Sequence, residues 1–236
     1  MGRKMPISVD PPELPGLVAG DATQAILTVG VDEVGRGALF GPVVAAAVIL
    51  PAAALPTLAA AGVNDSKQLG ADQRTALAQQ IRAVAVAYQI AWASVTEIDR
   101  LNILQASLLA MRRAVVRLPV QPDLCLVDGN QPIPGLSFPQ HPIVKGDQKS
   151  LAIAAASILA KVWRDELMVR LSNRYPAYHL ASNKGYGTPT HRRALQQYGP
   201  TRFHRTSFSP CRPGNERILP QQAALEMFDR SFDRTN

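Results

Sequence analysis

Residues 26–37, ILTVGVDEVGRG, begin as an apolar run of strand-forming residues, end that run in the adjacent acids Asp32 and Glu33, and pass at once into Gly35-Arg36-Gly37. A second apolar run, VVAAAVIL at residues 43–50, follows Gly41 and Pro42, so two strands joined by a turn are expected. Successive strand residues point to opposite faces, and both acids serve one site only where the strand ends or bulges, which the glycines permit. Glycine backbone lets a ligand approach closely, and an arginine between two glycines suits phosphate; an acidic turn on the surface accounts for the acid pair alone.

Further along, residues 124–127 (LCLV) form a short, wholly apolar run of the kind buried on both faces of a sheet, and it too ends in a carboxylate, Asp128, followed by Gly129 and Asn130. An Asx-turn explains the same three residues. Asp147 stands in KGDQKS, residues 145–150, at the head of the strongest helical pattern, 149–171, where Leu151, Ala155, Ile158, Leu159 and Val162 face a core. That position suits an N-cap as well as a site. Between these segments the spacing predicts a helix over 73–86, a strand over 88–95, and a helix over 97–116 with Thr96 as its N-cap; another helix is expected over 189–198. Residues 1–24 read as an irregular lead-in and 211–236 as a tail with one short helix near 221–228, which leaves 25–210 as the working domain. The order of elements is an α/β or α+β mixture, one sheet covered by helices.

At 236 residues, with 47% hydrophobic and 18% charged side chains, the chain has the length and composition of one folded domain. The 43–50 run stops at Pro51, far short of the roughly 18 residues a membrane span needs, and no secretory pattern follows Arg3 and Lys4. A cytoplasmic protein is expected. Cys125 and Cys211 cannot make a disulfide framework and lack metal-ligand spacing. Charge is concentrated: residues 145–205 hold eleven Lys and Arg (145, 149, 161, 164, 170, 174, 184, 192, 193, 202, 205) against three acids, which predicts polyanion binding. Four carboxylates at the ends of core elements in a basic chain would repel one another unless a cation neutralises them. A hard divalent ion does so with oxygen ligands, and Mg²⁺ is usual where phosphates complete the shell. Nucleic-acid hydrolysis with two such ions follows as the expectation.

The runs VDEVGRG (31–37), NDSK (64–67), VDGN (127–130), KGD (145–147), AASILAKV (155–162) and NKGYGT (183–188) resemble bacterial ribonuclease HII and span about 25 to 210 in family order. The resemblance implies a ribonuclease H-like mixed β-sheet flanked by helices, with a helical C-terminal region. It also implies a two-metal site of Asp32, Glu33, Asp128 and Asp147 loaded with Mg²⁺ or Mn²⁺. Asp165 competes for the fourth place, but an i,i+4 ion pair with Lys161 explains it. By the same resemblance Gly35, Arg36 and Gly37 read a ribose 2′-OH, Tyr186 packs on the following sugar, and Lys67, Lys149, Lys184, Arg192 and Arg193 contact phosphates. The partners implied are RNA–DNA hybrids and duplex DNA with embedded ribonucleotides, cut to leave a 3′-hydroxyl and a 5′-phosphate by a monomer; a replication-clamp contact through the tail is left open. Ribonuclease HIII, the sister type, carries an additional N-terminal domain for which the lead-in is too short. His141, His179, His191 and His204 have no ligand spacing and no catalytic role is expected of them. The rival readings are a DNA nuclease on the same fold, which would not need Gly35-Arg36-Gly37 and Tyr186, and an inactive hybrid-binding module, against which four intact carboxylates argue.

Overall fold

The structure is a computed structural model, and it describes residues 26–63 and 69–212. The lead-in, the tail helix expected near 221–228, and Lys67 with its NDSK run lie outside the described residues.

Strands β1 (Thr28–Val34) and β2 (Val43–Ile49) pair antiparallel, and β3 (Ala87–Ala93) adds antiparallel to β2. On the other side β4 (Leu124–Asp128) runs parallel to β1, and β5 (Gln140–Ile143) runs parallel to β4, for an order β3-β2-β1-β4-β5. Every β2 residue is buried, as a central strand covered on both faces requires. On one face Val31, Ala45, Ala47 and Val127 pack with Ile98, Met111 and Val115; on the other Val44, Ala46 and Val48 pack with Leu77, Ile81, Ile158 and Leu159.

Helix α1 (Leu55–Ala60) precedes α2 (Ala71–Val84), which lies with α5 (Leu151–Ser172) on the second face. Gly30 brings β1 and the head of α5 together. A Cβ there would stand 2.2 Å from the Ala152 carbonyl carbon, so only glycine lets the strand and helix meet at this depth. Phe40, Tyr175, Tyr178, Leu180 and Leu195 form a further core that seats α6 (Leu180–Asn183) and α7 (Pro189–Tyr198) on the segment after the Gly-Arg-Gly turn.

Three expectations change. The helix expected over 97–116 is two helices, α3 (Val95–Leu101) and α4 (Ile103–Val116), because Asn102 takes φ 72° and its side chain accepts from the Gln105 amide at 3.1 Å, capping α4. The N-cap of α3 is Ser94, not Thr96: Ser94 Oγ accepts from the Glu97 amide, and the Glu97 carboxylate accepts from the Ser94 amide at 2.8 Å. Hydrogen bonding from Arg113 comes first among the causes that hold the Glu97 carboxyl down at about 2. Lastly, β5 was not expected at all. Its sequence, QHPI, has no apolar alternation, and Pro142 is tolerated because the strand lies at the edge.

Candidate active site

The parallel register between β1 and β4 ends at Val31 opposite Val127, so Asp32 and Asp128 leave adjacent strands side by side. The ladder between β1 and β2 continues without a bulge through Asp32, Glu33 and Val34. The acids meet, then, because β1 outlasts its pairing with β4, and not because β1 itself is bulged. Asp32 is only 5% exposed, and its Oδ1 accepts from the Glu33 amide at 2.7 Å. Burial drives its carboxyl well above the ordinary range, Glu33 and Asp128 push it further, and a hydrogen bond from Ser157 on α5 partly offsets them. Glu33 is raised as well, first by burial, against the pull of Arg36, whose guanidinium stands 3.1 Å from Oε1.

Asp128 reaches across to the next turn: its Oδ1 accepts from the Gly146 amide at 2.7 Å. Gly146 opens the 3₁₀ turn Gly146–Gln148, which holds Asp147, 3% exposed, directly ahead of α5. A Cβ on Gly146 would meet Ile153 at 2.6 Å and Asp128 Oδ1 at 3.3 Å, so the turn sits tight against both strand and helix. The donors are all carboxylate oxygens, and Asp32 and Glu33 are raised first by burial and further by neighbouring negative charge, which is the chemistry a hard divalent cation relieves. Among the described residues no three His, Cys, Asp or Glu side chains are already closed around one point, so the fit lies in the donor chemistry rather than in a preformed cage. Asp165 is engaged elsewhere, with Lys161 at 2.7 Å and Arg74 at 3.8 Å.

The Gly-Arg-Gly turn and Tyr186 are neighbours. Ala38 bridges to Tyr186, and the Leu39 and Phe40 amides both donate to the Gly185 carbonyl, at 2.8 and 3.2 Å. Gly35 (φ +90°) has no room for a side chain, since a Cβ would lie 2.2 Å from Arg164 Nε; Gly37 faces open space. Arg36 is exposed and the Tyr186 ring is half-buried, with the Arg164 guanidinium 5.5 Å and Lys161 Nζ 6.0 Å from its centroid. Lys149, Arg192 and Arg193 are at the surface; Lys184 is half-buried, its Nζ on the Ala181 carbonyl at 2.5 Å, and Arg192 also donates to the Gly187 carbonyl at 3.0 Å.

Two members of the basic stretch, neither of them among the expected phosphate contacts, do not face solvent. Arg164 is fully buried and donates to the carbonyls of Lys184 (2.7 Å), Phe40 (3.0 Å) and Pro42 (3.3 Å), stitching the two loops together. Arg205, equally buried and pushed down to about 9 by desolvation, donates to the Arg36 and Gly41 carbonyls at 2.8 and 3.0 Å. Ser157, Arg164 and Arg205 are the residues that sequence reasoning missed as parts of the site. For Ser157 the available signal is a lone hydroxyl in the apolar run AASILAKV; for the arginines there is none.

The chain is similar to known proteins over most of its length. The sequence profile of the family described as Ribonuclease HII matches residues 29–211. A ribonuclease HII from Acaryochloris marina is 65% identical over 191 residues, 81% of this chain and 96% of that protein, and one from Trichodesmium erythraeum is 62% identical over 193 residues, 82% and 92% of the two chains. Among solved structures, the ribonuclease H2 of Pyrococcus horikoshii superposes with a TM-score of 0.68 at 25% identity, covering 85% of this chain and 99% of that one. A Bst ribonuclease HIII in complex with Mn²⁺ shares the fold with a TM-score of 0.61 at 21% identity, covering 87% and 71%.

Proposed function

Because the chain belongs to the ribonuclease HII family, we propose that it is a metal-dependent endoribonuclease that hydrolyses the RNA strand of RNA–DNA hybrids and cuts 5′ to single ribonucleotides embedded in duplex DNA. The observation that carries this reading is the meeting of buried Asp32 and Glu33 with Asp128 where β1 outlasts β4, beside the turn that holds Asp147. Asp32, Glu33, Asp128 and Asp147 would hold Mg²⁺ or Mn²⁺, and two such ions when bound supply an activated water and stabilise the leaving oxygen of an in-line displacement.

The remaining tasks fall to the chain's own groups. Open space at Gly37 lets a ribose come up to the backbone, so the 2′-OH can be sensed by main-chain atoms. Tyr186, its ring flanked by two cations and its backbone bridged to Ala38, offers a surface for the next sugar. Lys149, Lys184, Arg192 and Arg193 take phosphates, which places the duplex without reading its sequence. Gly35 to Gly37 with Tyr186 favour this reading over a DNA-only nuclease, which has no use for a 2′-OH sensor.

The test is a duplex with one embedded ribonucleotide, incubated with Mg²⁺ or Mn²⁺ and mapped at nucleotide resolution. Cleavage on the 5′ side of the ribonucleotide, with 3′-hydroxyl and 5′-phosphate ends and an untouched all-DNA control, is the expected result. Cyclic-phosphate ends or cutting of the control overturns it.

A further inference from the structure

Two buried histidines lie behind Tyr186, and their hydrogen bonds have a single self-consistent direction. His191 Nε2 faces His204 Nε2 at 3.1 Å, His191 Nδ1 lies 2.9 Å from the Tyr186 carbonyl, and the Thr201 amide donates to His204 Nδ1 at 2.9 Å. An amide can only donate, so His204 Nδ1 is bare and its proton sits on Nε2. That proton points at His191 Nε2, which must accept, so His191 carries its proton on Nδ1 and donates it to Tyr186. The chain of donors therefore runs from the Thr201 amide through both rings to the Tyr186 carbonyl. Both rings are buried, at 0% and 1% exposure, and His204 packs edge-on against Phe40 with ring centroids 4.9 Å apart.

The two histidines span three segments. Residues 38–41 run in the middle: Ala38 bridges to Tyr186, Phe40 bridges to His204, the Gly41 amide donates to the Phe203 carbonyl at 2.8 Å and the Arg205 amide to the Leu39 carbonyl at 3.0 Å. This middle segment is the direct continuation of Gly35 to Gly37. The Tyr186 amide is itself held by the Asn183 carbonyl, and its carbonyl also accepts from the Thr188 amide at 2.8 Å. His191, through His204, thus ties the Tyr186 carbonyl to the far flank of the middle segment.

We propose that His191 and His204 are positioning residues that fix the spacing between the Gly35–Gly37 turn and Tyr186, and so set selectivity for a lone ribonucleotide over a long hybrid. A lone ribonucleotide offers one register, and the turn and the tyrosine must meet it at one separation. A long hybrid offers a 2′-OH at every step and forgives a misplaced tyrosine. The inference rests on the reading of Tyr186 as a sugar contact.

A glutamine at position 191 reaches the Nε2 end of the imidazole and loses the Tyr186 carbonyl; an asparagine places its amide N–H near Nδ1 and keeps it. His191→Gln is expected to lose about tenfold in kcat/KM on the single-ribonucleotide duplex, the scale of one lost hydrogen bond, and much less on a long hybrid. His191→Asn is expected to recover most of that selectivity even where its Tm is no higher. In a Tyr186→Ala background, His191→Gln is expected to cost no further selectivity. Nitrogen-detected NMR on the wild-type chain supplies a readout besides activity, with Nδ1–H expected for His191 and Nε2–H for His204. Equal loss on both substrates for His191→Gln, additive loss with Tyr186→Ala, or the opposite tautomers overturns the inference alone. If Tyr186→Ala itself shows no selective loss, the reading of Tyr186 falls first and takes the inference with it.

Discussion

Asp128 does two things at once, and a single substitution separates them. One carboxylate oxygen accepts from the Gly146 amide, which an amide oxygen also does; the negative charge is what a divalent ion requires. Asp128→Asn is therefore expected to fold, to keep its affinity for hybrid, and to lose at least about 10²-fold in cleavage, the scale of removing a preorganised electrostatic group. Turnover near the wild-type level in a folded Asp128→Asn protein would remove it from the site. At this scale Asp32, Glu33 and Asp128 were legible because they stand at the ends of apolar runs, where an ionised side chain is poorly explained by packing, and Asp147 because it heads the strongest helical pattern. Arg164 and Arg205 were not. Each looks like one more surface cation in a basic stretch, and the carbonyls that explain them lie 20 to 169 residues away in the sequence.

Glycines show how an element's packing and its function part company. Gly30→Ala forces a Cβ to within 2.2 Å of the α5 backbone, and neither strand nor helix can yield without opening the two-sided core. Overpacking of this kind costs typically about 1–3 kcal/mol, and here the clash is with backbone, so the upper end or beyond is expected in a denaturant melt. Gly37→Ala meets nothing within 4 Å and is expected to leave the melt within about 0.5 kcal/mol of wild type while slowing cleavage of ribonucleotide substrates, because the added methyl points where a ribose would come. Equal stability losses for the two variants would contradict the packing at Gly30. Elements with a continuous apolar signal, β1, β2, β4 and α5, were readable from sequence. The break at Asn102 was hidden because the apolar period runs on through both helices, and β5 because an edge strand with a proline carries no alternation.

Over the whole molecule, two electrostatic features are expected to show in solution. The first is acid sensitivity. Burial, then the charge of His191, pushes His204 down to about 3 from an ordinary value near 6.5, and His191 is lowered too, with burial first and His179 contributing. The unfolded chain takes up these protons first as pH falls, so the stability held by neutral His204 is whole above about 6.5 and drains away as pH drops toward 3. His204→Gln has no such titration. The Tm gap between it and the wild-type chain is expected to narrow from pH 7 to pH 5, and a gap that widens would reverse the sign assigned to His204.

The second feature is how binding responds to salt, and it depends on which cations are free to meet phosphate. Eleven Lys and Arg lie between residues 145 and 205, but Arg164 and Arg205 are buried on backbone carbonyls and Lys161 is half-buried against Asp165. Arg174 and Arg202 also have partners within the chain, so eight is an upper bound on the cations that can displace counterions. At a slope of about −0.9 per neutralised phosphate, log K against log salt for a catalytically silent variant such as Asp128→Asn should be no steeper than about −7 from this segment. Removing Arg192 and Arg193, both exposed in the N-terminal half of α7, should flatten it by up to roughly 2 while the preference for ribonucleotide over all-DNA duplex survives, because phosphate contacts carry no sequence or sugar information of their own. Arg164→Gln should behave in the opposite way. It takes no phosphate, so the slope should hold, but the carbonyls of Phe40 and Lys184 lose their shared donor and the two recognition loops come apart. A flattened slope in Arg164→Gln with selectivity intact would mean that this buried arginine reaches the duplex after all, and the division of the basic stretch into structural and phosphate-binding members would have to be redrawn.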